Sequence, residues 1–494
     1  MKIGPPTKMA NRAVALLYPG HRRLEAHTVD GLRVANGKRQ CEELLTSISG
    51  HCIYVPGALT SLRHTTGALG WSCDTWRGRE TRMNHAGSGC SVSSLRGTLE
   101  GSDDPFGDLL RVLGWVRGYG VGPASITSMA WSLWRASLSH KVTLWFDPEI
   151  GRKALYGGRQ EVAHNETGEP RIYRQMVAVD MRAAYPHSMA ERDYALSLRP
   201  VSVDTHLDPT VPGIARATVY LDPDLPYGPL PWRVDTGMIM FPNRGRVEGV
   251  WPWVELAAAR ELGCEVKVSE CWAPARTQDL FGAWWPMVQS GRDLPGTSGV
   301  VAKAIANSLW GHFGMVGEDR TTKRWTDDRG NTAYEVDEPE RDLPHRWTAH
   351  IAAETTSRVR SRLLLEGLYG GGAGRPVHVD TDGIIVRGTS PLPPRSGSGP
   401  GEWRVKARMP KVDIRAPQLY RWTCGQGCGV THPEWHYSAS GIPAASAPEY
   451  FRRSAGFTHI SYLASFDATL PAEHLDDQAK IARLILEARS RGVL

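Results

Sequence analysis

Apolar positions along the chain fall into two kinds of run. Short, continuous apolar stretches at 176–179, 213–221, 376–379 and 384–386 predict buried strands. Longer stretches at 253–262, 299–310 and 348–368 space their apolar residues three or four apart and predict helices. One further helical tract is predicted from 105 to 134, within a region, 1–150, that is otherwise irregular and has a Ser/Gly-rich patch at 86–97. Strands and helices intermix without a regular βαβ alternation, so the expected class is α+β. No repeat recurs at solenoid or propeller periods. The segment 388–400, GTSPLPPRSGSGP, is expected to be an exposed loop, and Gly370, Gly371, Gly372 and Gly374 punctuate the chain before a strand.

Composition narrows the class. The 494 residues suffice for two or three domains, and 41% hydrophobic with 22% charged residues excludes collagen-like and disordered chains. No apolar run approaches the ~18 residues of a membrane helix, and the apolar stretch 13–18 is too short for a secretory signal. Eight cysteines in so long a chain argue for a reducing compartment. The net charge is +6, carried by 47 arginines and only 11 lysines. Arginine's planar fork suits phosphate, although a GC-rich coding sequence gives the same bias. Composition therefore permits a nucleic-acid partner without requiring one.

Two aspartate sites carry the chemistry. Val177-Ala-Val-Asp180 ends one apolar strand, and Val377-His-Val-Asp380-Thr-Asp382-Gly383 runs from another into an apolar return. Carboxylates gathered at a hairpin tip repel one another unless a hard divalent cation neutralises them; an Asx-type turn is the plainer alternative. Between the two sites Lys303, Asn307 and Trp310 recur at i, i+4 and i+7 and share one helix face, a cation, an amide and a ring able to meet phosphate, sugar and base.

Taken in order, DMRAAYP, KAIANSLWG and VDTDG resemble motifs A, B and C of the family B DNA polymerases. Tyr156-Gly157-Gly158-Arg159 resembles the YxGG element of the protein-primed branch, and the stretches 229–233 and 241–245 resemble its palm. The resemblance covers about residues 150–460 and implies a right-hand fold: palm at 151–290 and 346–405, fingers at 291–345, thumb at 406–494. Residues 1–150 would form a degenerate RNase H-like exonuclease domain.

That resemblance also implies roles. Asp180 and Asp382 would ligate two Mg²⁺ ions, for which Mn²⁺ can substitute, with Asp380 in support and the Met181 carbonyl completing a shell. Lys303 would hold the triphosphate, with Arg292 as a second clamp. Tyr185 would be the steric gate beneath the sugar, and Asn307, Trp310 and Gly311 would line the nascent base pair. Tyr156, Gly157, Gly158, Arg159, Thr381, Gln418 and Tyr420 would contact DNA, Gln418 standing where the family carries a lysine. Gly383 replaces a common serine, with little expected effect on metal binding. The implied partners are template-primer DNA, dNTPs and a terminal protein, for a monomer in the cytoplasm of a bacterial host, encoded by a phage or plasmid.

The N-terminal region lacks the family's exonuclease acids. No DxE stands on a strand near 25–30, the strand-like 52–60 has neither Asn nor Asp, and Asp103, Asp104 or Asp108 is the candidate remnant of the third motif. An inactive exonuclease relic is expected. Cys424, Cys428, His432 and His436 read C-x3-C-x3-H-x3-H, but the short central spacer and Pro433 argue against zinc. Two other functions stay open at this point: a primase-polymerase or template-independent transferase on the same palm, and an inactive nucleic-acid-binding protein.

Overall fold

The computed structural model describes the chain apart from residues 1, 4–13, 21–22, 49–51, 56–71, 74–79, 86–87, 96–97, 100–101, 163–170, 204–206, 234–238, 315–321, 327–331, 337–347, 371–375, 389–391, 417, 425–434 and 440–494. Most of the region expected to be the thumb, including 440–443, thus lies outside the described residues.

The N-terminal region is built on a seven-stranded sheet. Val14–Gly20, Arg23–Thr28 and Gly31–Asn36 form an antiparallel meander, and Cys52–Val55 and then Ser88–Ser94 add in parallel on the other side of Val14–Gly20. Alternation along Val14–Gly20 sends Ala15 and Leu17 to one face, against the helix Gly37–Ser47. Val14 and Leu16 go to the other face, into the largest core of the molecule.

That core joins the N-terminal region to the helices beyond residue 150. The helical tract expected over 105–134 holds two helices, α1 (Pro105–Gly118) and α2 (Ile126–Ser137). Gly118, Gly120 at φ +75°, and Gly122-Pro123 break it, because glycine reaches the left-handed region and proline donates no hydrogen bond. Asp104 caps α1 by accepting from the Gly107 N–H, and Ser125 caps α2. Leu109, Val112 and Leu113 of α1 and Met129, Leu133 and Trp134 of α2 lie in this shared core.

The central sheet has seven strands: β1 (Arg159–Glu161), β2 (Arg171–Met181), β3 (His378–Thr381), β4 (Gly383–Arg387), β5 (Trp403–Ala416), β6 (Leu419–Thr423) and β7 (His436–Ala439). Their order is β1-β3-β4-β2-β5-β6-β7, antiparallel throughout. The apolar runs 176–179 and 384–386 lie side by side at its centre. Against it pack α3 (Ala184–Ala190) and α6 (Ala349–Arg362), the latter continued by a π-helical stretch, Leu363–Tyr369, while α4 (Trp284–Arg292) and α5 (Thr297–Phe313) pack on each other and on α3.

Helix α6 is buried along nearly its whole length. Its charges are compensated: Arg360 makes a double hydrogen bond to Glu255, at 2.7 and 3.0 Å, and Arg358 pairs with Glu354 at 2.9 Å. A buried ion pair of this kind is costly to break from one side only. A second, four-stranded antiparallel sheet (Tyr194–Val201, Glu265–Gln278, Ile214–Leu221, Gly245–Pro252) flanks α6. The 388–400 segment is pinned where it is described: Gly397 donates to the Trp403 carbonyl and Arg182 to that of Ser398.

Candidate active site

Strand register collects the carboxylates. Asp180, near the end of β2, stands opposite Gly383 on one side and Arg404 on the other. Asp380 stands opposite the same Gly383 across the β3–β4 hairpin. The hairpin turns sharply. Thr381 has φ +61°, the Asp382 N–H reaches the Asp380 carbonyl at 2.6 Å, and the Asp382 carbonyl accepts from the Met181 N–H at 2.9 Å. Gly383 is required by contact, since a Cβ there would lie 2.9 Å from the Val179 carbonyl oxygen and 3.3 Å from the Asp180 Cβ. Beside its expected small effect on metal binding, this glycine thus has a packing role.

The three acids differ in surroundings. Burial, then the charges of Asp180 and Asp380, push Asp382 up to about 7 against the opposing pull of Lys406 and Lys303. Asp180 accepts from Arg404 Nε at 3.0 Å, with Lys406 Nζ 3.9 Å from its other oxygen. Asp380 accepts from Gln418 Nε2 at 2.7 Å and from the Thr381 hydroxyl at 3.1 Å.

Facing them is α5. Lys303 is exposed, while Asn307 and Trp310 are half-buried on the same face. The ammonium of Lys303 is pulled below its usual range by partial desolvation, then by Arg292 and Lys406, with Asp382 and Asp180 opposing. Arg292, at the end of α4, is likewise lowered by burial and by Arg182 and Arg404, and its Nη1 has no partner among the described residues. Five cations therefore converge beside three carboxylates: Arg182, Arg292, Lys303, Arg404 and Lys406. The sequence reading missed Arg182, Arg404 and Lys406. For Arg404 and Lys406 the signal was the i, i+2 alternation with Arg408 on one strand.

Tyr185, in α3, is buried and stacks on Trp310 with centroids 5.0 Å apart and planes at 17°. A Cβ at Gly311 would meet nothing within 4 Å among the described residues, so no contact there demands glycine.

The YGGR element docks on the acidic hairpin, Arg159 opposite Thr381 and Gln160 opposite Asp380. A Cβ at Gly158 would fall 2.8 Å from Thr381 Cγ2, whereas one at Gly157 would meet nothing within 4 Å. Arg159 is 1% exposed; it donates to the Gly228 carbonyl at 2.7 Å and stacks over Phe241. Tyr156 is buried, and Arg360 grips the carbonyls of Tyr156 and Gly157. Both side chains point inward, and the element pairs with the hairpin. Tyr420 is also buried, edge-on to His378 at 4.9 Å, and burial pushes its hydroxyl up to about 12.

Magnesium suits this donor set. The oxygens are hard, and their mutual repulsion is what a divalent cation relieves. Among the described residues no three His, Cys, Asp or Glu side chains form a ready cage. For zinc, Cys428 and His432 lie outside the described residues; Cys424 is half-buried and His436 stacks on Trp422 at 5.1 Å. No helix among the described residues is long and apolar enough to cross a membrane.

The fold is similar to that of phi29 DNA polymerase. The binary complex of that enzyme with primer-template DNA matches with a TM-score of 0.63 at 11% identity, over 89% of this chain and 94% of that one. Its ternary complex with primer-template DNA and incoming nucleotide matches at 0.63 and 12%, and its complex with single-stranded DNA at 0.60 and 12%, over the same shares. No family model matches the sequence, and neither does any curated protein.

Proposed function

We propose that the chain is a DNA-directed DNA polymerase that joins dNTPs to a primer 3′-hydroxyl. The observation that carries the reading is the register placing Asp180 beside the Asp380–Asp382 hairpin, with Lys303 near these acids and Trp310 stacked on Tyr185, in a fold similar to that of a DNA polymerase. Asp180 and Asp382 would hold divalent metal, Mg²⁺ or Mn²⁺, with the Met181 carbonyl beside them and Asp380 in support. Bound there, the metal would supply charge neutralisation at the triphosphate and acidify the attacking hydroxyl. Lys303 and Arg292 bind the triphosphate. Tyr185 underlies the sugar, and Trp310 and Asn307 meet the base pair. Strands β1–β4 with α3 and α6 would serve as palm, 291–345 as fingers and 406–494 as thumb, in a monomer of the host cytoplasm that accepts template-primer DNA, with a terminal-protein hydroxyl as primer at initiation.

The N-terminal meander flanked by two parallel strands supports the RNase H-like reading. Its two central strands, VALLYPG and CIYV, carry no acid, and Asp104 and Asp108 have structural duties. A proofreading activity is therefore absent in this reading. Degradation of single strands 3′ to 5′ that vanishes on mutating Asp103 and Asp104 would overturn that part.

The central test is dNTP incorporation on primed and unprimed DNA by the wild-type protein and by Asp180→Ala and Asp382→Ala. Template-directed extension by the wild type alone is expected. Equal incorporation by all three proteins would sink the mechanism, and incorporation without template would favour the transferase alternative.

A further inference from the structure

Two cations oppose the aspartate expected to bind metal. In the β2–β5 ladder Asp180 pairs with Arg404 and Val179 with Val405, but Ala178 pairs with Ala407, so Lys406 is the extra residue of a bulge. Bulges re-aim side chains, and this one brings the Lys406 ammonium to 3.9 Å from Asp180 Oδ2 while Arg404 Nε holds Oδ1 at 3.0 Å. Both side chains remain well exposed, whereas Asp180 is largely covered. Asp380 is similarly engaged, by Gln418. Two of the three carboxylates are thus engaged by protein donors. Arg404 also neighbours Arg292, so a guanidinium released from Asp180 has the triphosphate cluster within reach.

We propose that Arg404 is a positioning residue for metal loading: it is the resting counter-ion of Asp180, and a divalent cation must displace it before the site is complete. The inference rests on the polymerase reading of the same site. Its consequence is that metal binds the nucleotide-free protein weakly, since a fixed guanidinium both occupies one ligand oxygen and repels the incoming cation. Nucleotide then favours loading, because its phosphates give the displaced guanidinium another anion.

The test uses the full chain and manganese(II) chloride alone, with free Mn²⁺ followed by electron paramagnetic resonance. Arg404→Gln, which keeps bulk but not charge, is expected to bind Mn²⁺ about threefold to tenfold tighter than wild type, the scale of one nearby, partly screened charge. Arg404→Lys should stay near wild type. In an Asp180→Asn background Arg404→Gln should bring no gain. Unchanged or weaker Mn²⁺ binding by Arg404→Gln, with circular dichroism like wild type, would overturn the proposal; so would an equal gain in the Asp180→Asn background. Primer extension by the wild type is scored separately, so a failure of the polymerase reading is distinguishable from a failure of this one.

Discussion

Tyr185 and Trp310 stack nearly parallel, ring centroids 5.0 Å apart, at the junction of α3 and α5. Residues 125 positions apart in sequence thus form one aromatic floor beside Asp382. Burial, then the charges of Asp382 and Asp380, raise the Tyr185 hydroxyl well above its usual range, and it has no hydrogen-bond partner among the described residues. The ring is what the fold uses, not the hydroxyl.

Tyr185→Phe is therefore expected to leave stability unchanged or raise it by about 1 kcal/mol, since a buried unpaired hydroxyl is removed. Tyr185→Ala should open the floor and raise incorporation of ribonucleotides relative to deoxyribonucleotides. Urea unfolding reads the first outcome and competitive primer extension the second. Unchanged sugar discrimination in Tyr185→Ala would remove this residue from the gate.

At Gly383 the resemblance and the packing predict opposite things. Serine is the family's usual residue there, yet a Cβ would press within 2.9 Å of the Val179 carbonyl oxygen. Relieving that contact means spreading β4 from β2, which moves Asp382 relative to Asp180. Gly383→Ser should lose about 1–3 kcal/mol of stability and lower activity rather than raise it. Denaturant unfolding and primer extension on the same preparation check both.

The strands bearing Asp180 and Asp380 were legible in the sequence because continuous apolar runs end there in acid. The face of α5 was legible because three polar or aromatic residues recur at helical spacing. Pairing between strands was not, since register is set by contacts distant in sequence. Arg404 becomes visible as the partner of Asp180 only once the ladder is drawn, 224 residues away. The burial of Arg159 and Tyr156 was not legible, because short motifs do not report burial. The helical tract expected over 105–134 holds two helices, divided where the glycines and Pro123 outweigh the apolar spacing.

Lys303 stands in the cation cluster opposite the acids with an exposed side chain and no ion pair among the described residues. Its removal should cost the fold little and the reaction much. Lys303→Ala is expected to lower kcat/KM for dNTP by roughly 10²–10³, the range for deleting a charged group that meets developing charge, with thermal stability near wild type. Steady-state kinetics with a fixed primed template decide it, and an unchanged kcat/KM would take Lys303 out of the site.

Asp108 ties the N-terminal region to α5. Its carboxylate accepts from Ser298 at 2.6 Å, from Arg111 and Ser102 at 2.5 Å each, and from Thr297. Burial alone would raise its pKa, but these four donors prevail and hold it well below the usual carboxylate range. A group depressed in the folded state contributes stability above its unfolded pKa, about 3.9, and loses it as pH falls towards the folded value. Asp108→Asn should therefore cost about 2–4 kcal/mol near pH 7, having lost the charge that its donors stabilise. The gap from wild type should narrow as the pH drops below about 4, where the wild-type advantage is itself titrated away. Urea unfolding of both proteins between pH 7 and pH 3 measures this. A gap that stays constant with pH would show that packing around α1, rather than the carboxylate's charge, supplies the tie.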